Sequence, residues 1–214
     1  MMERSKMNPQ IIVDKLKNAH RMDNVTNQYS QLEWGFSNIA CHNLSLYFKH
    51  MQHLNPHDLL VGEAPGYNGC KLTGVPFTSE KIIADDNIPI FGLSRGYWVH
   101  DLAHIQTEQT STITWDLFKS IGYFPLLWNS FPFHPNKPLS RESNRQPTVQ
   151  EIEFGKNVII DILACYNIKH IYAIGKTAQK SLAGIGINAE VIRHPANGGK
   201  QEFCRNILRI RSIR

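Results

Sequence analysis

From residue 58 onward, short apolar runs alternate with stretches of helical period. "DLLVGE" leads to a helical pattern near "STITWDLFKSIG", and "FPLLWNS" leads to "TVQEIEFGKNVIIDILACY". "HIYAIG" then precedes a helix from about Thr177, and "AEVIRHP" a last helix from about Lys200. Apolar runs of four to six residues suit strands buried on both faces, and strands joined through helices must run parallel. The pattern predicts an α/β fold with a mostly parallel sheet covered by helices on both faces. Ligands of such sheets gather at the carboxyl ends of the strands.

The remaining features bound the fold. A chain of 214 residues with 42% hydrophobic content is the size of a single domain with a good core. Residues 1–55 read as an N-terminal helical extension, because "NIACHNLSLYFKHMQHL" places Ala40, Leu44, Tyr47, Phe48, Met51 and Leu54 at helical spacing. Thr148 and Glu151 have the spacing of a capping box, which satisfies the free backbone donors of a first helical turn. No run approaches the roughly 18 apolar residues of a membrane helix, and the polar start "MMERSKMNPQ" is no secretory signal. A cytoplasmic chain with no membrane contact is expected. Cys41, Cys70, Cys165 and Cys204 lie far apart without a CxxC pair, which suggests reduced structural thiols and no metal. The formal charge of +5 suits an anionic partner.

Three polar residues follow or end predicted strands, and would therefore share one crevice: Glu63, Asn129 and His194. Around Glu63, Gly62 and Gly66 permit tight turns and close backbone approach, while Pro65 fixes the loop in advance. The Asn197-Gly198-Gly199-Lys200 run opens the last predicted helix, where free amides and the helix dipole favour phosphate, with Arg193 and Lys200 as supporting cations. "SFPFHPNKPLSRESNRQP" mixes Phe131, Phe133 and His134 with Lys137, Arg141 and Arg145, a composition suited to base stacking and backbone contact.

The order GEAPG, GVPF, a strand ending in Asn, NRQPT, and a strand followed by HP resembles the uracil-DNA glycosylase superfamily over roughly residues 58 to 210. GEAPG with "PF" eleven residues after its Pro is similar to the family 4 type. The resemblance implies a three-layer α/β/α fold with a central four-stranded, mainly parallel sheet, and hydrolysis of uracil, or a related deaminated base, from DNA in base excision repair by a monomeric enzyme that flips the nucleotide out. Glu63 would activate water and stabilise the oxocarbenium-like transition state, and His194 would donate to uracil O2. Asn129 would read N3–H and O4, and Phe77 would stack on the ring. Gly62, Ala64, Pro65, Gly66 and Tyr67 would complete the base pocket.

Departures from the pattern matter as well. The familiar HPS reads HPA here, so a serine contact is lost. In the family 1 motif the position of Gly66 holds a thymine-excluding tyrosine, whereas here the tyrosine is the next residue, Tyr67. Family 4 proteins typically carry an iron-sulfur cluster on four cysteines, but the cysteines here match neither its N-terminal pair nor the positions after Asn129, so no cofactor is expected.

Two other function classes compete. A glycosylase-fold module could bind nucleic acid without cutting it. "GLSRG" at Gly92–Gly96 satisfies the GxSxG elbow of a hydrolase with Ser94 as nucleophile, although "DDNIPIFG" is a poor strand to lead into it. "AIGKT" ends like a phosphate-binding P-loop but has His170 where that loop needs Gly.

Overall fold

A computed structural model describes residues 7–30 and 38–213. Four strands form the central sheet: β2 (Asp58–Gly62), β3 (Leu126–Asn129), β5 (His170–Ile174) and β6 (Glu190–Ile192), in the spatial order β3-β2-β5-β6. All three pairings are parallel. Helices α5 (Gln109–Ile121), α6 (Val149–Cys165), α7 (Lys176–Ala183) and α8 (Lys200–Ser212) provide the crossovers and the cover, giving the expected three layers. The antiparallel element is a separate ribbon, in which β1 (Val25–Thr26) pairs with β4 (His134–Pro135).

Register decides where the polar residues meet. Leu59 pairs with Leu126 and Gly62 with Asn129, so both strands end level. Hydrogen bonds continue one step further: Ser130 N–H donates to the Gly62 carbonyl at 2.8 Å, and Phe131 N–H to that of Glu63 at 3.0 Å. These bonds hold the Glu63 backbone beside the end of β3.

Local signals set the helix starts. Thr148 and Glu151 form both halves of the capping box of α6. The N-cap of α5 is Glu108, whose carboxylate accepts from Thr110 N–H and Ser111 N–H at 2.9 and 2.7 Å. On α2 (Ile39–Leu54), five of the six spaced apolar residues are buried, but Leu54 is 45% exposed, because the helix ends there and the chain turns into Asn55 in the left-handed region.

The first described residues share the sheet's core. Ile12, Val13 and Leu16 of α1 (Gln10–Lys17) are buried in the same cluster as Leu59 and Leu127, and Tyr29 OH donates to the Gly74 carbonyl at 2.7 Å. Residues 1–6 and 31–37 of the expected extension lie outside the described residues. No helix among the described residues is long and apolar enough to cross a membrane.

Candidate active site

The carboxyl edge of the sheet opens into a pocket of about 260 Å³. Glu63, Phe77, Asn129 and His194 all line it, with Ala64, Pro65 and Gly66 forming one wall. Each reaches the pocket by a different route.

Glu63 follows β2, and its carboxylate makes no hydrogen bond or ion pair among the described residues. Asn129 ends β3 and is 4% exposed. Phe77 sits in the left-handed region at φ +58°, unusual for an aromatic residue, and Trp115 holds it there by donating Nε1–H to the Phe77 carbonyl at 2.9 Å. Gly62 lies beneath this pair rather than lining the pocket: a β-carbon there would stand 2.3 Å from Phe77 Cζ and 2.9 Å from Asn129 Oδ1.

His194 follows β6, and its Nδ1 accepts the Ala196 N–H at 3.2 Å. An acceptor nitrogen carries no hydrogen in neutral imidazole, so the hydrogen resides on Nε2. Burial holds the His194 pKa below its ordinary value; the Arg193 charge adds to that, and Glu108 opposes it. The neutral ring with an Nε2–H donor is therefore the resting form at neutral pH.

The remaining expected residues fall elsewhere. Tyr67 does not line the pocket; its N–H donates to Asn144 Oδ1 at 3.2 Å. Arg193, Asn197, Gly198, Gly199 and Lys200 also stay off the lining and form the tight turn into α8. Asn197 and Gly198 adopt positive φ, Arg193 Nη2 donates to the Asn197 carbonyl at 3.3 Å, and a β-carbon on Gly199 would come within 2.0 Å of the His194 carbonyl oxygen. The turn thus sets the backbone of His194, with Lys200 exposed at the start of α8.

Three sequence readings are corrected. Phe131, Phe133 and His134 are buried at 0%, 1% and 0% exposure, with Phe133 against the rings of Phe131 and Phe154, so they serve the core instead of stacking on bases. Arg145 reaches the pocket wall, but its five N–H groups are all engaged: two with Glu151, and one each with the carbonyls of Asn24, Asn136 and Gln146. It has no donor left for a phosphate. Ser94 stands in an exposed 3₁₀ turn, Leu93–Arg95, with its hydroxyl on the Asp86 carboxylate, so no strand leads into it and its hydroxyl has no imidazole partner.

Sequence reading missed Glu108, Thr78, Thr110 and Cys70, which also line the pocket. Glu108 carried a signal, since it stands three residues before the helical pattern that starts at Ser111 and so at the helix's entrance. Burial pushes the Cys70 thiol well above its ordinary range, which leaves it a neutral wall group and not a nucleophile. Among the described residues no group of three or more His, Cys, Asp or Glu side chains is arranged to hold a metal ion.

The chain matches no protein-family model and no curated protein in sequence. Its fold is similar to that in the crystal structure of wild-type SMUG2 from Pedobacter heparinus, with a TM-score of 0.68 at 16% identity, covering 96% of this chain and 97% of that one. At that identity the likeness establishes the fold.

Proposed function

We propose that this protein is a DNA glycosylase that hydrolyses the N-glycosidic bond of uracil, or of a related deaminated base. One observation carries the reading: an unpaired carboxylate, a buried amide, an aromatic ring and a neutral imidazole with a free Nε2–H share one pocket at the sheet's carboxyl edge. The fold likeness to SMUG2, a member of the uracil-DNA glycosylase superfamily, agrees with it.

The chemistry needs each group. As the bond between the sugar C1′ and the base nitrogen breaks, its electron pair leaves with the base and positive charge develops on the sugar. Glu63 stabilises that charge and takes a proton from the water whose oxygen bonds to C1′. His194 donates Nε2–H to the base oxygen that gains negative charge. Its depressed pKa serves this role, because a neutral donor stabilises the anion without itself being deprotonated at working pH. Asn129 discriminates between bases: its amide accepts from N3–H and donates to O4 of uracil, whereas cytosine presents the reverse pattern and would leave buried groups unpaired. Phe77 supports the extruded ring by stacking.

The test is incubation with labelled oligonucleotides containing U, T, hypoxanthine or xanthine, followed by alkaline cleavage of abasic sites. Excision of at least one deaminated base is expected, falling by about 10² or more in Glu63→Gln while DNA affinity is kept. Binding without excision of any base would instead support a nucleic-acid-binding module, and unchanged activity in Glu63→Gln would remove Glu63 from the mechanism.

A further inference from the structure

A second cavity, of about 280 Å³, lies between the N-terminal segment and the turn that follows β4. The segment contributes Arg21, Asp23 and Asn24 to its lining, and the turn contributes Ser140 and Arg141. Backbone bonds hold the two sides together. β1 pairs with β4, and Asn136 N–H donates to the Asn24 carbonyl at 2.9 Å. The turn is closed by its own bonds, Ser140 N–H to the Lys137 carbonyl at 3.1 Å and Lys137 N–H to Ser143 Oγ at 2.9 Å. Lys71 adds a tether by donating Nζ–H to the Arg141 carbonyl at 2.9 Å. The walls of the cavity are therefore set before any ligand arrives.

Its charge is unbalanced. Neither Arg21 nor Arg141 donates a side-chain hydrogen bond or pairs with a carboxylate among the described residues. Asp23 is the one acid among the described residues of the lining, so two guanidinium charges face one carboxylate. The Ser140 hydroxyl and the Asn24 amide are likewise uncommitted there and add neutral donors. Crowding of like charge reaches Lys71, whose pKa is held below its ordinary value by burial first, with the Arg141 charge adding and Glu142 opposing. Arg145 differs from these two arginines, because its donors are all engaged within the protein. The cavity and the base pocket also share one stretch of chain: Ser140 and Arg141 line the first, Asn144 and Arg145 the second.

We propose that this cavity binds a phosphate group of the DNA strand whose base occupies the pocket, held between Arg21 and Arg141. The inference rests on the glycosylase reading of the pocket. A guanidinium presents its N–H groups as a planar fork that matches the free oxygens of a phosphate, and it is only weakly hydrated, so it gives up little on binding one. One guanidinium from each wall brackets the group, and its negative charge offsets the excess of cations. Arg21 lies outside residues 58 to 210, which carry the sequence resemblance, so half of the grip is an addition of this chain. The N-terminal segment thus reads the strand as well as covering the core. A strand that is neutral at this phosphate, or ends short of it, loses the contact.

The experiment measures binding and single-turnover excision on oligonucleotides in which one phosphate at a time is replaced by an uncharged methylphosphonate. At one position flanking the target, the replacement should lower wild-type affinity by about 5- to 10-fold at about 0.1 M salt, the counterion-release contribution of a single phosphate. Arg21→Gln and Arg141→Gln should each lower affinity for unmodified DNA by a similar factor and reduce the slope of log affinity against log salt by about 0.9. Both should also abolish the methylphosphonate effect at that one position and keep it elsewhere, with Tm unchanged, since neither side chain bonds to the protein. Arg211→Gln, which removes an exposed cation at the far end of α8, should do none of this. The absence of any position whose sensitivity both variants remove would overturn the proposal. Inorganic phosphate titrated into the protein and followed by phosphorus NMR tests the other source of the group. Saturable binding that Arg21→Gln abolishes, without a sensitive position on the strand, would make the cavity a free-anion site and overturn the strand as its occupant. Failure of the wild type to excise any base would count against the glycosylase reading, and the salt slopes, which need no chemistry, would still decide the anion site.

Discussion

His134 donates through Nδ1 to the carbonyl of Pro65 at 2.8 Å, tying the buried β4 ribbon to the loop that carries Glu63. A carbonyl can only accept, so Nδ1 carries the hydrogen, and Nε2 is left buried as a bare acceptor without a partner. Burial accordingly holds the His134 pKa below its ordinary 6.5, with Lys71 adding to the effect. A depressed pKa means that the unfolded chain binds the proton more readily. The stability contributed by the neutral ring is thus full above pH 6.5 and is lost as pH falls through the folded-state value. His134→Phe should cost about 1 to 3 kcal/mol by stranding the Pro65 carbonyl, and should flatten part of the fall in Tm between about pH 7 and about pH 5. Thermal denaturation across that range measures both. Because the tether positions Glu63, kcat should fall more than KM rises.

Gly62→Ala should damage catalysis far more than folding. The added methyl would meet Phe77 Cζ at 2.3 Å and Asn129 Oδ1 at 2.9 Å, forcing both side chains out of place. Displacement of about 1 Å at reacting geometry costs up to about 10²-fold in rate. Phe77 is partly exposed and can swing aside, so Tm should move by only a few degrees. Parallel kinetics and melting would reject this account if Tm collapsed or the rate held.

Asn129→Asp separates base reading from general catalysis. The carboxylate removes the donor for uracil O4 and supplies an acceptor for the amino group of cytosine. Loss of one matched bond with a buried partner left behind costs roughly 1 to 3 kcal/mol, about 10- to 100-fold in uracil excision, with weak cytosine excision gained. Paired kinetics on U- and C-containing oligonucleotides check it, and equal loss on every base would mean structural damage.

Arg145→Met should be a stability variant and not a DNA-binding one. Arg145 and Glu151 are 21% and 7% exposed in their side chains, and the guanidinium joins the capping box of α6 to Asn24 and the β4 ribbon. Breaking such a pair leaves a buried carboxylate unmatched and should cost on the order of 3 kcal/mol. Its charge is already neutralised, so the slope of log affinity against log salt should stay that of the wild type.

The sequence by itself determined the parallel sheet, the capping box that starts α6 and the positions of Glu63, Asn129 and His194 at strand ends. These rest on local periodicity, on capping bonds such as Thr148 with Glu151, and on the rule that parallel strands end at one edge. It also marked Phe131, Phe133, His134 and Arg145 as one polar-aromatic loop, because composition does not distinguish a ring that stacks on a ligand from one that fills a core. Only the tertiary structure decided that Phe131, Phe133 and His134 turn inward and that Arg145 engages Glu151, while Leu139, in the same stretch, turns out. Only it decided that Glu108 caps α5 at the pocket wall, that Gly62 makes room for Phe77 against Asn129, and that Ala196 N–H selects the His194 tautomer. Burial, close approach and protonation state depend on contacts between residues far apart in the chain, and they exist only once the sheet has brought its strand ends together.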